Sequence, residues 1–77
     1  MSTPPNFPND FKIGEIGMVK YFTYQTEKYE ITVEPQLWEK FSVALYINQG
    51  LQGSKITNLN TTASVQEAVN KLFLTIK

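Results

Sequence analysis

The side chains best equipped for chemistry in this chain are carboxylates, lysines, tyrosines and one tryptophan; histidine and cysteine are absent. General acid–base work near neutral pH draws most often on histidine, and nucleophilic sites on cysteine or on a hydroxyl activated by a neighbouring base. The carboxylates are Asp10, Glu15, Glu27, Glu30, Glu34, Glu39 and Glu67. Glu30 and Glu34 share one face of an alternating stretch, which reads as a solvated strand face rather than a paired acid and base. Ser54 and Lys55 are neighbours, and on a strand neighbouring side chains point to opposite faces. The usual ligands of zinc, copper and haem are missing, so no metal and no cofactor is expected. The inventory predicts a protein that is not an enzyme.

Binding chemistry has more material. The chain carries 4 Tyr, 5 Phe and 1 Trp among 77 residues. Aromatic side chains supply large contact area at low entropic cost and concentrate in binding hot spots. The 7 basic residues are all lysine and balance 7 acidic ones, for a formal net charge of zero. Without arginine there is no planar fork to grip phosphate or read guanine. Gly50-Leu51-Gln52-Gly53 matches in letters the GxxG loop that clamps nucleic-acid backbone between helices in KH domains. Here it falls between two strands and contains no basic residue, so it reads as a hairpin loop.

These side chains need elements to position them. Residues 1–10 carry Pro4, Pro5 and Pro8 and read as a flexible N-terminal arm, leaving 11–77 as a single domain. Phe7, Phe11, Ile13 and Ile16 could tack that arm down. Gly17–Gln25 and Lys28–Glu34 read as strands, with Tyr29, Ile31 and Val33 alternating against charged positions. A two- or four-residue turn sets Tyr24 opposite Tyr29 and Phe22 opposite Ile31, whereas a three-residue turn sets Tyr21 opposite Ile31. Pro35 is expected to end the second strand. Leu37-Trp38-Glu39-Lys40 suits a helical turn, and Phe41, Val43, Leu45 and Ile47 alternate as a third strand. Gln49–Gly53 reads as a loop and Lys55–Leu59 as a fourth strand. Ser64 followed by Glu67 matches a capping box. Val65, Ala68, Val69, Leu72, Phe73 and Ile76 then form one helical stripe.

The expected fold is α+β: a four-stranded antiparallel sheet of β-hairpins with one C-terminal helix on one face, ββββα. From Phe41 to Ile76 the order of strand, glycine loop, strand and helix, opened by Ser64-Val65-Gln66-Glu67-Ala68, resembles the small arm-type DNA-binding domain of tyrosine integrases. That resemblance implies a weak nucleic-acid-binding module as the alternative function. The stretch before Phe11 has no apolar signal core, and no apolar run approaches the roughly 20 residues of a membrane span. A cytoplasmic protein without membrane contact is expected.

One helix covers one face of a sheet, so the other face should be polar. Aromatics interrupt that pattern in either phase of the first strand. The expected docking surface is therefore an aromatic sheet face anchored by Tyr21, Tyr24, Trp38 and Tyr46, with Lys20 and Lys40 orienting the partner. The function that follows is a small non-enzymatic interaction module. It would dock on itself as a homodimer, or on a larger protein complex as an accessory subunit or inhibitor.

Overall fold

The computed structural model describes residues 3–17, 19–57 and 61–76. Five strands follow one another as an antiparallel meander: β1 (Lys12–Ile16), β2 (Val19–Gln25), β3 (Tyr29–Gln36), β4 (Lys40–Ile47) and β5 (Gly50–Ile56). A 3-10 turn, Leu37–Glu39, joins β3 to β4, and α1 (Thr62–Phe73) closes the chain. The architecture is α+β with the helix on one face, as the periodicity predicts, but with five strands rather than four. The additional strand is β1. Its apolar residues, Ile13 and Ile16, are three apart and fall on opposite faces, so the alternation that betrays a half-buried strand is missing.

The core lies between the sheet and the helix. Ile31 and Val33 of β3 and Val43 and Leu45 of β4 are fully buried beneath Val65, Val69 and Leu72. Each such side chain contributes roughly 1.5–3 kcal/mol of apolar burial. The helix rests mainly on β4 and β5. A 12-residue helix is about 18 Å long and 10 Å wide, too little to roof five strands spaced about 4.8 Å apart. The N-terminal segment completes the roof. Phe7 and Phe11 are buried at 8% and 5% exposure, and Pro5 is buried with them. Gln66 of the helix fastens this segment: its carboxamide oxygen accepts from the Phe7 amide (2.6 Å), and its nitrogen donates to the Pro5 carbonyl (3.0 Å). Asn6 and Asp10 close a turn around the cis Phe7–Pro8 peptide, the Asn6 amide donating to the Asp10 carboxylate (2.8 Å).

Several local expectations change. Tyr24 stands opposite Ile31 and Phe22 opposite Val33, a shift of two residues from the even-turn registers, because Thr26 and Tyr29 close the turn themselves. Pro35 does not end β3; it pairs with Phe41 inside the β3–β4 ladder. The turn after β4 is Asn48-Gln49, both at positive φ (53° and 68°), the geometry of a type I′ hairpin. Gly50 and Gly53 therefore lie in β5 rather than in a loop, and a register shift near Leu45/Tyr46 bulges that strand. β5 ends at Ile56, and Leu59, expected in this strand, lies outside the described residues. The helix N-cap is Thr61, whose hydroxyl oxygen accepts from the Ser64 amide (3.2 Å). Glu67 pairs with Lys71 one turn later (3.1 Å) instead of reaching back to Ser64.

Candidate docking surface

The strand phases divide the aromatics. Phe41, Phe22, Phe7, Phe11, Tyr24, Tyr29 and Phe73 form one unbroken chain of ring contacts on the helix side, with centroid separations of 4.9–6.3 Å. Most neighbouring rings meet edge to face, the arrangement their quadrupoles favour. Seven of the ten aromatics thus lie on the helix side of the sheet, linking the N-terminal segment through β2, β3 and β4 to the helix.

Tyr24 belongs to that chain, so the expectation that it anchors a partner on the open face is corrected. It shares its phase with Phe22, packs on Phe11 and stacks on Tyr29. Burial raises the Tyr24 phenol above its ordinary pKa, with smaller contributions from Tyr29 and Asp10. Lys20 stands opposite Glu15 in the same helix-side phase, exposed at the end of β2.

Tyr21 and Tyr46 do occupy the open face, but not together. Tyr46 sits beside Glu30 near the β4–β5 turn, and Tyr21 stands opposite Gly14 near the β1–β2 turn. They lie on strands separated by β3 and near opposite ends of the sheet. Between them the face carries Thr23, Thr32, Ala44 and Ser54, small side chains in one row. No continuous aromatic sheet face results. Lys40 opens β4 in the outward phase with Ser42 and Ala44, while Trp38 precedes the strand, in the 3-10 turn.

What the fold does gather is an apolar end. In a meander the β1–β2 and β3–β4 turns emerge at the same end of the sheet. Exposed there are Ile16 (73%), Val19, Leu37 (81%), Trp38 (88%) and Ile56. The β2–β3 ladder runs only from Gln25–Glu30 to Phe22–Val33; beyond it, β2 continues on β1 and β3 on β4. Pro35 lies in the parted segment and lacks the N–H that a ladder would use. The parted strands leave a concavity of about 310 Å³ lined by Ile16, Val19, Tyr21, Glu34 and Pro35.

The turn beside this concavity has unusual backbone. Trp38 (φ 66°) and Glu39 (φ 57°) both adopt the left-handed conformation. That region costs a residue with a Cβ roughly 1–2 kcal/mol, and a bulky side chain is rarely found there. Sequence reasoning anticipated a turn at these residues but placed Trp38 on a strand face. It missed Leu37, Ile16, Val19 and Pro35 as surface residues, and the Leu37-Trp38 pair before the third strand was the available signal.

Among the described residues no cluster of three or more His, Cys, Asp or Glu side chains is placed to hold a metal ion, and no helix is long and apolar enough to cross a membrane. No family model, curated protein or solved structure matches the chain.

Proposed function

We propose that this protein is a non-enzymatic interaction module that docks on a protein partner through the apolar end of its sheet, as an accessory subunit or inhibitor of a larger assembly. The observation that carries this reading is the exposure of Ile16, Val19, Leu37 and Trp38 at one end of the sheet, where Ile16 and Val19 line a concavity and Trp38 is held in left-handed backbone. Single exposed apolar residues are ordinary on any surface; a cluster of large ones beside a concavity is the composition of an interface. Trp38 would insert as the anchor and Tyr21 would line the receiving concavity. Lys20 and Lys40 flank the same end and would form the charged rim.

Site-specific photo-crosslinking in the cell tests this reading. A photoreactive residue is placed at position 38, 16 or 46, and adducts are identified by mass spectrometry. Adducts at 38 and 16 but not at 46 are expected, and Leu37→Ser should diminish them. Equal labelling at all three positions, or labelling at 46 alone, would contradict it. A parallel titration with single-stranded and duplex DNA covers the nucleic-acid alternative. With zero net charge, weak binding and a shallow salt slope are expected; tight binding that collapses with salt would overturn the protein-partner reading.

A further inference from the structure

The two sheet edges are not equivalent. β5 is bulged opposite Leu45/Tyr46 and carries two glycines, and a bulge blunts an edge against further pairing. β1 is regular over all five residues, Lys12–Ile16, with no proline and no bulge. Its side chains are exposed on both faces of the sheet, Ile13 at 62% and Ile16 at 73%, with only Gly14 half-covered. Neither the helix nor the Phe7–Phe11 segment roofs it. Such an edge is a template for another strand.

The register of β1 on β2 fixes which groups it offers. Ile16 pairs with Val19 across two intervening residues, so that pair closes the hairpin with hydrogen bonds. Bonded pairs alternate along an antiparallel ladder, which makes Gly14–Tyr21 and Lys12–Thr23 the next inward-bonded pairs. The N–H and C=O groups of Ile13 and Glu15 therefore point away from the sheet.

We infer that β1 is a self-association edge at which two copies of this chain pair antiparallel about a two-fold axis at Gly14, joining their sheets into one. Three two-fold registers bring outward-pointing residues together. An axis at Ile13 overlaps only Lys12–Gly14, and an axis at Glu15 opposes two like charges. An axis at Gly14 overlaps the whole strand and sets Ile13 opposite Glu15 of the second copy, with roughly four new backbone hydrogen bonds. On the open face Ile16 lies on the methylene stem of the second copy's Lys12. At the axis two glycines meet as a close, non-bonded pair, with Cα atoms about 4.5 Å apart. The Tyr21 ring lies over Gly14: a Cβ there would collide with its Cζ and Oη. The two-fold thus brings two Tyr21 rings side by side above the glycine pair, closing the open face across the seam. A strand pair this short is a small interface, so the dissociation constant is expected in the range of about 10–100 µM. This edge shares Ile16 and Tyr21 with the apolar end but not Leu37 or Trp38, so a Trp38 variant touches the docking reading alone.

Sedimentation velocity of the full chain between about 1 and 500 µM tests the inference, together with amide hydrogen exchange. A dimer forming in the stated range is expected, with the Ile13 and Glu15 amides protected at high concentration and exchanging freely at low. Ile13→Pro removes an outward N–H without touching the β1–β2 ladder, and should weaken the dimer at least tenfold; Ile13→Glu, which sets a like charge against Glu15 of the second copy, should do the same while preserving the backbone. Trp38→Gly should leave the dimer unchanged, which separates this result from that of the docking reading. A chain that stays monomeric at 500 µM would overturn the inference. So would a dimer indifferent to both Ile13 variants, or free exchange at Ile13 and Glu15 in the dimer.

Discussion

Tyr24 and Tyr21 are three positions apart in one strand and have opposite fates. Tyr24 joins Phe11 and Tyr29 in the ring chain beneath the N-terminal segment, and Tyr21 lies outward over Gly14. The alternation of a strand made it certain that they could not share a face, but which one turned inward depended on the turn at Thr26–Tyr29. Tyr24 carries a pH signature. Burial favours its neutral phenol, so the folded chain keeps this proton at a pH where the unfolded chain has lost it. The stabilisation is complete below the ordinary tyrosine value of about 10 and fades as pH climbs past it. Urea unfolding at pH 8 and pH 11 should show a loss of stability at the higher pH, and Tyr24→Phe should remove part of that loss. An unchanged alkaline loss in Tyr24→Phe would assign it elsewhere.

At the scale of elements, the central ones were legible. β3 and β4 alternate cleanly, and the helix stripe from Val65 to Phe73 is the buried one. The ends of elements were harder to read because local signals competed. Ser64 with Glu67 spells a capping box, yet Thr61 caps the helix and so gains a further turn. Thr61→Ala is expected to cost about 1 kcal/mol in urea unfolding, and Ser64→Ala clearly less. The reverse ranking would restore the later start. The proline-rich segment misled for a different reason. Three prolines forbid regular structure but not packing, and the Gln66 hydrogen bonds that hold Pro5 and Phe7 connect residues about sixty positions apart. Phe7→Ala is expected to cost about 3–4 kcal/mol, a large share of the stability of so small a domain. Deleting residues 1–10 should therefore abolish cooperative thermal unfolding, read by circular dichroism. A truncated chain that melts like the intact one would show that Phe7 contributes nothing to the core.

At the scale of the molecule, one short helix and a folded-back N-terminal segment share the roofing of five strands. The aromatic surplus visible in composition is mostly the material of that roof, which composition alone could not distinguish from a binding face. What remains outside is Tyr21, Tyr46 and Trp38, and only Tyr21 and Trp38 lie at the apolar end with Ile16, Val19 and Leu37. Of the six side chains expected to bind a partner, Tyr21, Trp38, Lys20 and Lys40 are gathered at this end. Tyr46 stands near the other end, and Tyr24 is half-buried against the core on the helix side. That partition was not legible in the sequence because it depends on where β2 and β3 part, and on a turn whose backbone is left-handed at two residues with side chains.

On the proposed docking reading, this end of the sheet is surplus to folding and kept for a partner. The most direct test is the unfolding free energy of Trp38→Gly, followed by circular dichroism in urea. Trp38 is 88% exposed at φ 66°, a conformation that glycine adopts freely. A gain of about 0.5–1 kcal/mol is predicted, since relief of the left-handed strain outweighs the added freedom of the unfolded chain. A loss of 1 kcal/mol or more would mean that Trp38 holds the fold together, and would contradict the account.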